Sequence, residues 1–161
     1  MKGAMDQGVA AADMLADADA FDGDHLAEAA MVLRVDLSQL ATQTGNVNTG
    51  DFDPIADICD WAHRSGAWVH VDGAFGMWAM ASASMSEITV GMGDADSWAT
   101  DAHKWLNVPY DSGLAFVRHP GVLPAAMAIT AEYLPTESSE RNPSDFTPEL
   151  SRRARGVEVW A

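Results

Sequence analysis

The clearest periodicity lies in residues 55–62, where Ile55, Ile58, Cys59 and Ala62 fall on one helical face. Asp53 stands where a helix cap belongs, and Pro54 follows at the first helical position, where its missing N–H costs nothing. Gly66 ends the helix. Short strand-like runs surround it. Residues 37–42 read as a strand; residues 67–71, AWVHV, read as a buried one that stops at Asp72-Gly73. Two more follow at 96–99 and at 113–117, GLAFV. The stretch TGNVNTGD, residues 44–51, is dense in turn formers and makes a loop. Strand, helix, strand, loop and strand at this spacing predict an α/β fold.

The two ends of the chain carry a weaker pattern. Residues 1–36 are rich in Ala, Asp and Gly. One or two Ala-rich helices fit residues 10–30, without a clean amphipathic stripe. Residues 135–148 are polar and punctuated by proline, as a surface loop is, and residues 151–161 begin another helix. There is no internal repeat. With 161 residues there is room for one domain, and a hydrophobic fraction of 48% suits a globular core. The expected organisation is an atypical segment over 1–36 followed by a folded unit over 37–161.

Charge narrows the partners. Twenty-four acidic residues against nine basic ones leave a net charge of −15, which repels nucleic acid and anionic membranes. No apolar run reaches the roughly 20 residues of a membrane span, and the polar start is unlike a signal core, so the cytoplasm is the expected location. Cys59, the lone cysteine, sits at helix-core spacing and reads as a buried structural thiol. His63, His70, Asp72 and His103 are metal-ligand types, but they are scattered, and no metal is expected.

The candidate chemistry sits at strand ends, where ligands gather in open α/β sheets. Asp72 closes one strand, and Asp101-Ala102-His103-Lys104 follows another. Lys104 is the only lysine besides Lys2. A carboxylate and an amine in one crevice suit pyridoxal 5′-phosphate (PLP). Its aldehyde needs a lysine amine, and its ring nitrogen needs an anionic neighbour to stay protonated. Burial in such a crevice would favour the neutral, nucleophilic lysine.

The wording of these segments resembles a known family. VHVDGAFG, residues 69–76, is similar to the cofactor-nitrogen motif of the group II PLP-dependent amino-acid decarboxylases, such as the glutamate and aromatic-amino-acid enzymes. DSWATDAHKWLNVPYDSG, residues 96–113, resembles their Schiff-base lysine motif. TGNVNTGDFDPI at 44–55 and SRRARGVEVWA at 151–161 resemble two more segments in the same order. The resemblance implies the central part of the large domain of the fold-type I transferases, a mostly parallel sheet flanked by helices. It implies PLP as cofactor, an amino-acid substrate, decarboxylation as the reaction and a homodimer for the full-length enzymes. Residue by residue, it implies Lys104 as the lysine bonded to the cofactor, Asp72 as partner of the ring nitrogen and Ala74 as the small residue against the ring. His103 would lie by the phosphate or substrate, and Asn46 would approach the ring from its loop.

Two other readings stand beside decarboxylation. One is a catalytically silent, truncated remnant of such an enzyme, since residues 1–36 lack the family's ring-stacking histidine and phosphate-binding pattern, and Tyr110 and Tyr133 stand outside the motif of its catalytic tyrosine. The other is an aminotransferase or different lyase of the same fold, because fold and cofactor do not determine the reaction.

Overall fold

The computed structural model describes residues 38–128 and 141–161. The proposed Ala-rich helices, His25, Lys2 and Tyr133 lie outside the described residues. Four short strands form one sheet in the order β1-β2-β3-β4: β1 (Gln39–Gln43), β2 (Trp68–Asp72), β3 (Ser97–Asp101) and β4 (Gly113–Val117). β1, β2 and β3 run parallel, and β4 pairs with β3 antiparallel. The parallel trio puts three strand ends on one side of the sheet, which is what a crevice at the carboxyl end requires.

Helix α1 (Ile55–Arg64) forms where the periodicity predicts it. Ile55, Ile58, Cys59, Trp61 and Ala62 are buried, so the stripe also takes in Trp61. They pack with Val69 and Val71 of β2, Ala67, Met92 and Ala95 into the core. Fully burying an aliphatic side chain contributes about 1.5–3 kcal/mol, so this cluster is the main apolar term holding sheet to helix. A left-handed turn at Gly91, φ 79°, brings the chain against the first turn of α1. A Cβ there would come within 2.3 Å of the Ala56 backbone nitrogen, so glycine alone fits.

Asp53 does not cap α1. The cap position is Pro54, with no side-chain cap bond. The Asp53 carboxylate instead accepts the Gln43 N–H at 2.6 Å, and the Asp53 N–H donates to the Gln43 carbonyl at 3.1 Å. These paired bonds fasten the start of α1 to the end of β1, which serves the backbone better than a cap. Burial raises the Asp53 pKa, with the Gln43 bond opposing it.

Between β2 and β3 the chain runs through three 3-10 turns, Met77–Ala81, Ala83–Met85 and Met92–Asp94. One turn of helix, α2 (Ala102–Trp105), follows β3 directly. A short helix α3 (Val122–Met127) follows β4. In residues 141–148 the described part of the expected loop contains a 3-10 turn, Pro143–Phe146, capped by the Asn142 side chain. The helix expected at the end is α4 (Gly156–Trp160). No helix among the described residues is long and apolar enough to cross a membrane.

Candidate active site at the carboxyl ends of the parallel strands

Alternation along β2 decides which side chains reach the crevice. Val69 and Val71 face α1, fully buried, while Trp68, His70 and Asp72 point to the other face. Register extends that face across the sheet: His70 lies beside Ser97 and Asp72 beside Ala99. Asp101, two residues beyond Ala99, falls on the same face as Asp72.

Asp72 is exposed at its strand end. Its Oδ1 accepts the Ala74 N–H at 3.0 Å, which orients the carboxylate and sets the turn after β2. The Asp72 carbonyl accepts the Thr44 N–H at 2.9 Å, so the loop after β1 is tied to the loop after β2. That junction is tight. A Cβ on Gly45, which has φ 77°, would stand 2.8 Å from the Gly76 nitrogen. Thr100, buried at the end of β3, donates its hydroxyl to the Gly73 carbonyl at 3.0 Å. Three strand ends are thus stitched together around Asp72. Ala74 is half-buried beside it.

Deeper on the same face is a short polar chain. Trp68 Nε1 donates to Ser97 Oγ at 2.8 Å, and Ser97 Oγ lies 2.7 Å from His70 Nδ1. Ser97 Oγ accepts from the indole, which can only donate, and has both a lone pair and a proton left with which to meet His70 Nδ1. Burial lowers the His70 pKa, and the nearby Asp72 charge pulls the other way without prevailing. The imidazole is neutral near pH 7.

Lys104 sits on α2, just beyond β3. Its Nζ is 2.7 Å from Asp101 Oδ2 and 3.9 Å from the centre of the Phe75 ring. Its side chain keeps 25% of its surface exposed. The expected burial of a bare amine is therefore not what the described residues provide. One helical turn returns Nζ to the carboxylate three residues back.

His103 is held from both sides. Its ring lies 4.0 Å from that of Tyr110, and Nδ1 accepts the Ser112 N–H at 3.0 Å. Nδ1 also lies 3.1 Å from the Ser112 carbonyl, but that oxygen already receives the Ala102 N–H at 2.8 Å. The buried Ser112 N–H needs an acceptor, which Nδ1 supplies in the tautomer that carries its hydrogen on Nε2. Sequence reasoning gives Tyr110 and Ser112 no role beyond their place in the lysine motif. A contact formed across a loop leaves no periodic signal.

Asn46 is the hinge of its own loop. Its Oδ1 accepts the N–H groups of Asn48 and Thr49, and its Nδ2 donates to Gln43 Oε1 at 2.9 Å. It stands at the end of β1, next to the Gly45–Gly76 junction. Cys59 lies away from all of this, buried in the core. Burial, then the charges of Asp94 and Asp96, push its thiol up to about 11, so it is neither a thiolate nor a nucleophile. Among the described residues no cluster of three or more His, Cys, Asp or Glu is placed to hold a metal. The groove lined by Phe52, Pro54, Asp57, Glu87, Ile88 and Val90 lies at the start of α1 and takes in none of Asp72, Ala74, His103 and Lys104.

Residues 31–161 match the model of the pyridoxal-dependent decarboxylase conserved domain. The chain belongs to that family. An aromatic-L-amino-acid decarboxylase of Bacillus atrophaeus is 33% identical over 120 residues, covering 72% of this chain and 25% of the relative. An L-tyrosine/L-DOPA decarboxylase of Lophophora williamsii is 30% identical over 125 residues, 75% of this chain and 24% of the relative. A crystal structure of Oryza sativa TDC with PLP and tryptamine superposes with a TM-score of 0.75 at 26% identity, covering 87% of this chain and 30% of that one. Mouse CSAD shares the fold, with a TM-score of 0.74 at 23% identity over 84% of this chain and 29% of that one. The chain thus spans about a quarter of the length of the curated relatives it matches.

The residues present fit the family's cofactor at two points. An exposed carboxylate, oriented by the Ala74 N–H, matches a protonated ring nitrogen. A single primary amine at the end of the neighbouring parallel strand matches an aldehyde.

Proposed function

We propose that this chain carries the PLP site of an amino-acid carboxy-lyase, with Lys104 and Asp72 at its centre. The observation that carries the reading is the parallel pairing of β2 with β3, which sets Asp72 and the Lys104 segment at neighbouring strand ends on one side of the sheet. Lys104 Nζ is the amine that takes the cofactor aldehyde. Asp72 keeps a carboxylate towards the ring nitrogen, its orientation set by the Ala74 N–H. Ala74 leaves room for a flat ring, where a larger side chain would intrude. His103, as an Nε2–H donor, serves an anionic group of cofactor or substrate. Asn46 holds the loop that borders the ring. Bound PLP supplies an electron sink for the charge left when carbon dioxide departs.

The substrate proposed is an aromatic amino acid. The support is the names of the relatives: aromatic-L-amino-acid decarboxylase and tyrosine/DOPA decarboxylases. Phenylacetaldehyde synthases of Petunia hybrida and a Rosa cultivar are 30% identical, as are the two tyrosine/DOPA decarboxylases. The product must therefore be identified, amine against aldehyde. A homodimer and a cytoplasmic location belong to the same proposal and rest on family likeness; light scattering of the purified chain tests the first.

The test is direct. PLP is added, the visible spectrum recorded, the mixture reduced with borohydride and the adduct mapped by mass spectrometry. An adduct on Lys104, with carbon dioxide released from L-tyrosine or L-DOPA, is the expected result. An adduct without release, and with a keto acid as product, points to an aminotransferase. No adduct on Lys104 makes the chain a silent member of the family.

A further inference from the structure

Asp101 stands at the cap position of α2 with extended backbone, yet makes no side-chain cap bond. An aspartate there ordinarily accepts an N–H from the first helical turn. Here the carboxylate is spent elsewhere: Oδ2 lies 2.7 Å from Lys104 Nζ. The same ammonium rests on the Phe75 ring, 3.9 Å from its centre. The two contacts approach from different elements, one from the end of β3 and one from the turn after β2. Each attracts a cation more strongly than a neutral amine. Both side chains of the ion pair are mostly covered, at 25% and 31% exposure, so solvent weakens the pair only in part.

We propose that Asp101 is a positioning residue that holds the Lys104 side chain against the Phe75 ring and withholds it from aldehydes until the pair opens. The inference rests on the reading of Lys104 as the cofactor lysine. Condensation needs the nitrogen lone pair to attack the carbonyl carbon. Water then leaves with the carbonyl oxygen and the two amine hydrogens. An ammonium has no lone pair to give, so it must first lose a proton and leave the carboxylate. Asp101 thereby sets the rate at which an empty site accepts its cofactor, and it is the carboxylate in reach of Lys104 whenever the lysine is free.

The sequence supplies an internal reference, because Lys2 is the only other lysine. The cofactor-free chain is treated briefly, at one fixed pH, with a small acetylating ester, and the Lys104 to Lys2 acetylation ratio is read by peptide mass spectrometry. Asp101→Asn raises that ratio about three- to five-fold, the size expected of a partly covered ion pair. Asp101→Glu, which keeps the charge, stays near the parent value. Phe75→Leu raises the ratio about two-fold and serves as the deciding variant if Asp101→Asn does not fold, as judged by circular dichroism. An unchanged ratio in a folded Asp101→Asn, or in Phe75→Leu where it must stand in, overturns the proposal. The reduced PLP adduct is then followed with time in the same proteins. A raised acetylation ratio with no PLP adduct on Lys104 in any of them upholds the ion pair and overturns the cofactor reading. An adduct that forms on Lys104 with an unchanged ratio does the reverse.

Discussion

On one face of β2, Val69 and Val71 are sealed against α1; on the other, His70 is half-buried and Asp72 lies open. The first face is mostly apolar, with the buried hydroxyls of Thr42 and Thr100 bonded to the His70 and Gly73 carbonyls, and its stability follows mainly from area removed from water. The second is held by directed bonds, among them Trp68 to Ser97, Ser97 to His70, Ala74 to Asp72 and Asp101 to Lys104. The same five residues of one strand thus serve a mainly apolar core on one face and a polar cluster on the other. Side-chain alternation separates the two within 5 residues. Substitutions on the two faces should therefore be read by different instruments, unfolding for one and cofactor chemistry for the other.

The sharpest break in that comparison is Lys104→Ala. It should abolish the reducible PLP adduct and lower the unfolding free energy in urea by only about 1 kcal/mol, the worth of a partly covered ion pair. On the other face, Ile55→Ala removes a side chain that is 1% exposed. It should cost about 2–5 kcal/mol in urea unfolding, and an equal loss from Lys104→Ala would erase the distinction between the faces. Gly91→Ala should cost at least as much as a typical disruptive substitution, roughly 1–3 kcal/mol, because it brings a Cβ onto Ala56 in a left-handed turn.

Asp96 sharpens the comparison, since it is a carboxylate that serves the scaffold. Its Oδ2 accepts the Val69 N–H at 2.8 Å and lies 2.9 Å from His63 Nε2. Burial pushes its pKa up, but the Val69 and His63 hydrogen bonds, with the His63 and Arg118 charges, outweigh that and hold it below the ordinary carboxylate value. A depressed folded pKa means the stabilisation is complete above the unfolded value and lost as pH falls through the folded one. Asp96→Ala should cost about 1–3 kcal/mol at pH 7, and the gap to the parent should close in acid, below the ordinary carboxyl range. A gap that stays constant on acidification through that range would show that the bond to Val69, not the charge, carries the effect. The smallest effect is expected at Asp53, whose pKa is raised. Its charged form is the disfavoured one in the fold, so Asp53→Asn, which can still accept the Gln43 N–H, should leave stability at pH 7 unchanged or slightly higher in the same assay.

Much of the fold is legible in residue order. The stripe Ile55, Ile58, Cys59, Ala62 marks α1 to within a residue at its start, because burial of one helical face imposes its period on the sequence. The four strands fall within a few residues of their expected places. What periodicity could not supply is direction: a run such as GLAFV reads the same whether its neighbour is parallel or antiparallel, and β4 is antiparallel. The role of Asp53 is hidden from residue order for a related reason. Its position before Pro54 suits a cap, but the nearby end of β1 offers two backbone bonds at once.

By itself the sequence determined the α/β class, the core face of α1, the family motifs and the two residues, Asp72 and Lys104, around which a PLP site would be built. These are local properties, written in spacing and residue type. Tertiary structure alone decided that Asp101 takes Lys104, that Ser97 links Trp68 to His70, and that Ser112 and Tyr110 hold the His103 ring in place. Each depends on which strands are neighbours, in what register, and on where a loop returns. Those quantities are set by the packing of the whole sheet and leave no mark in the order of residues along any one strand.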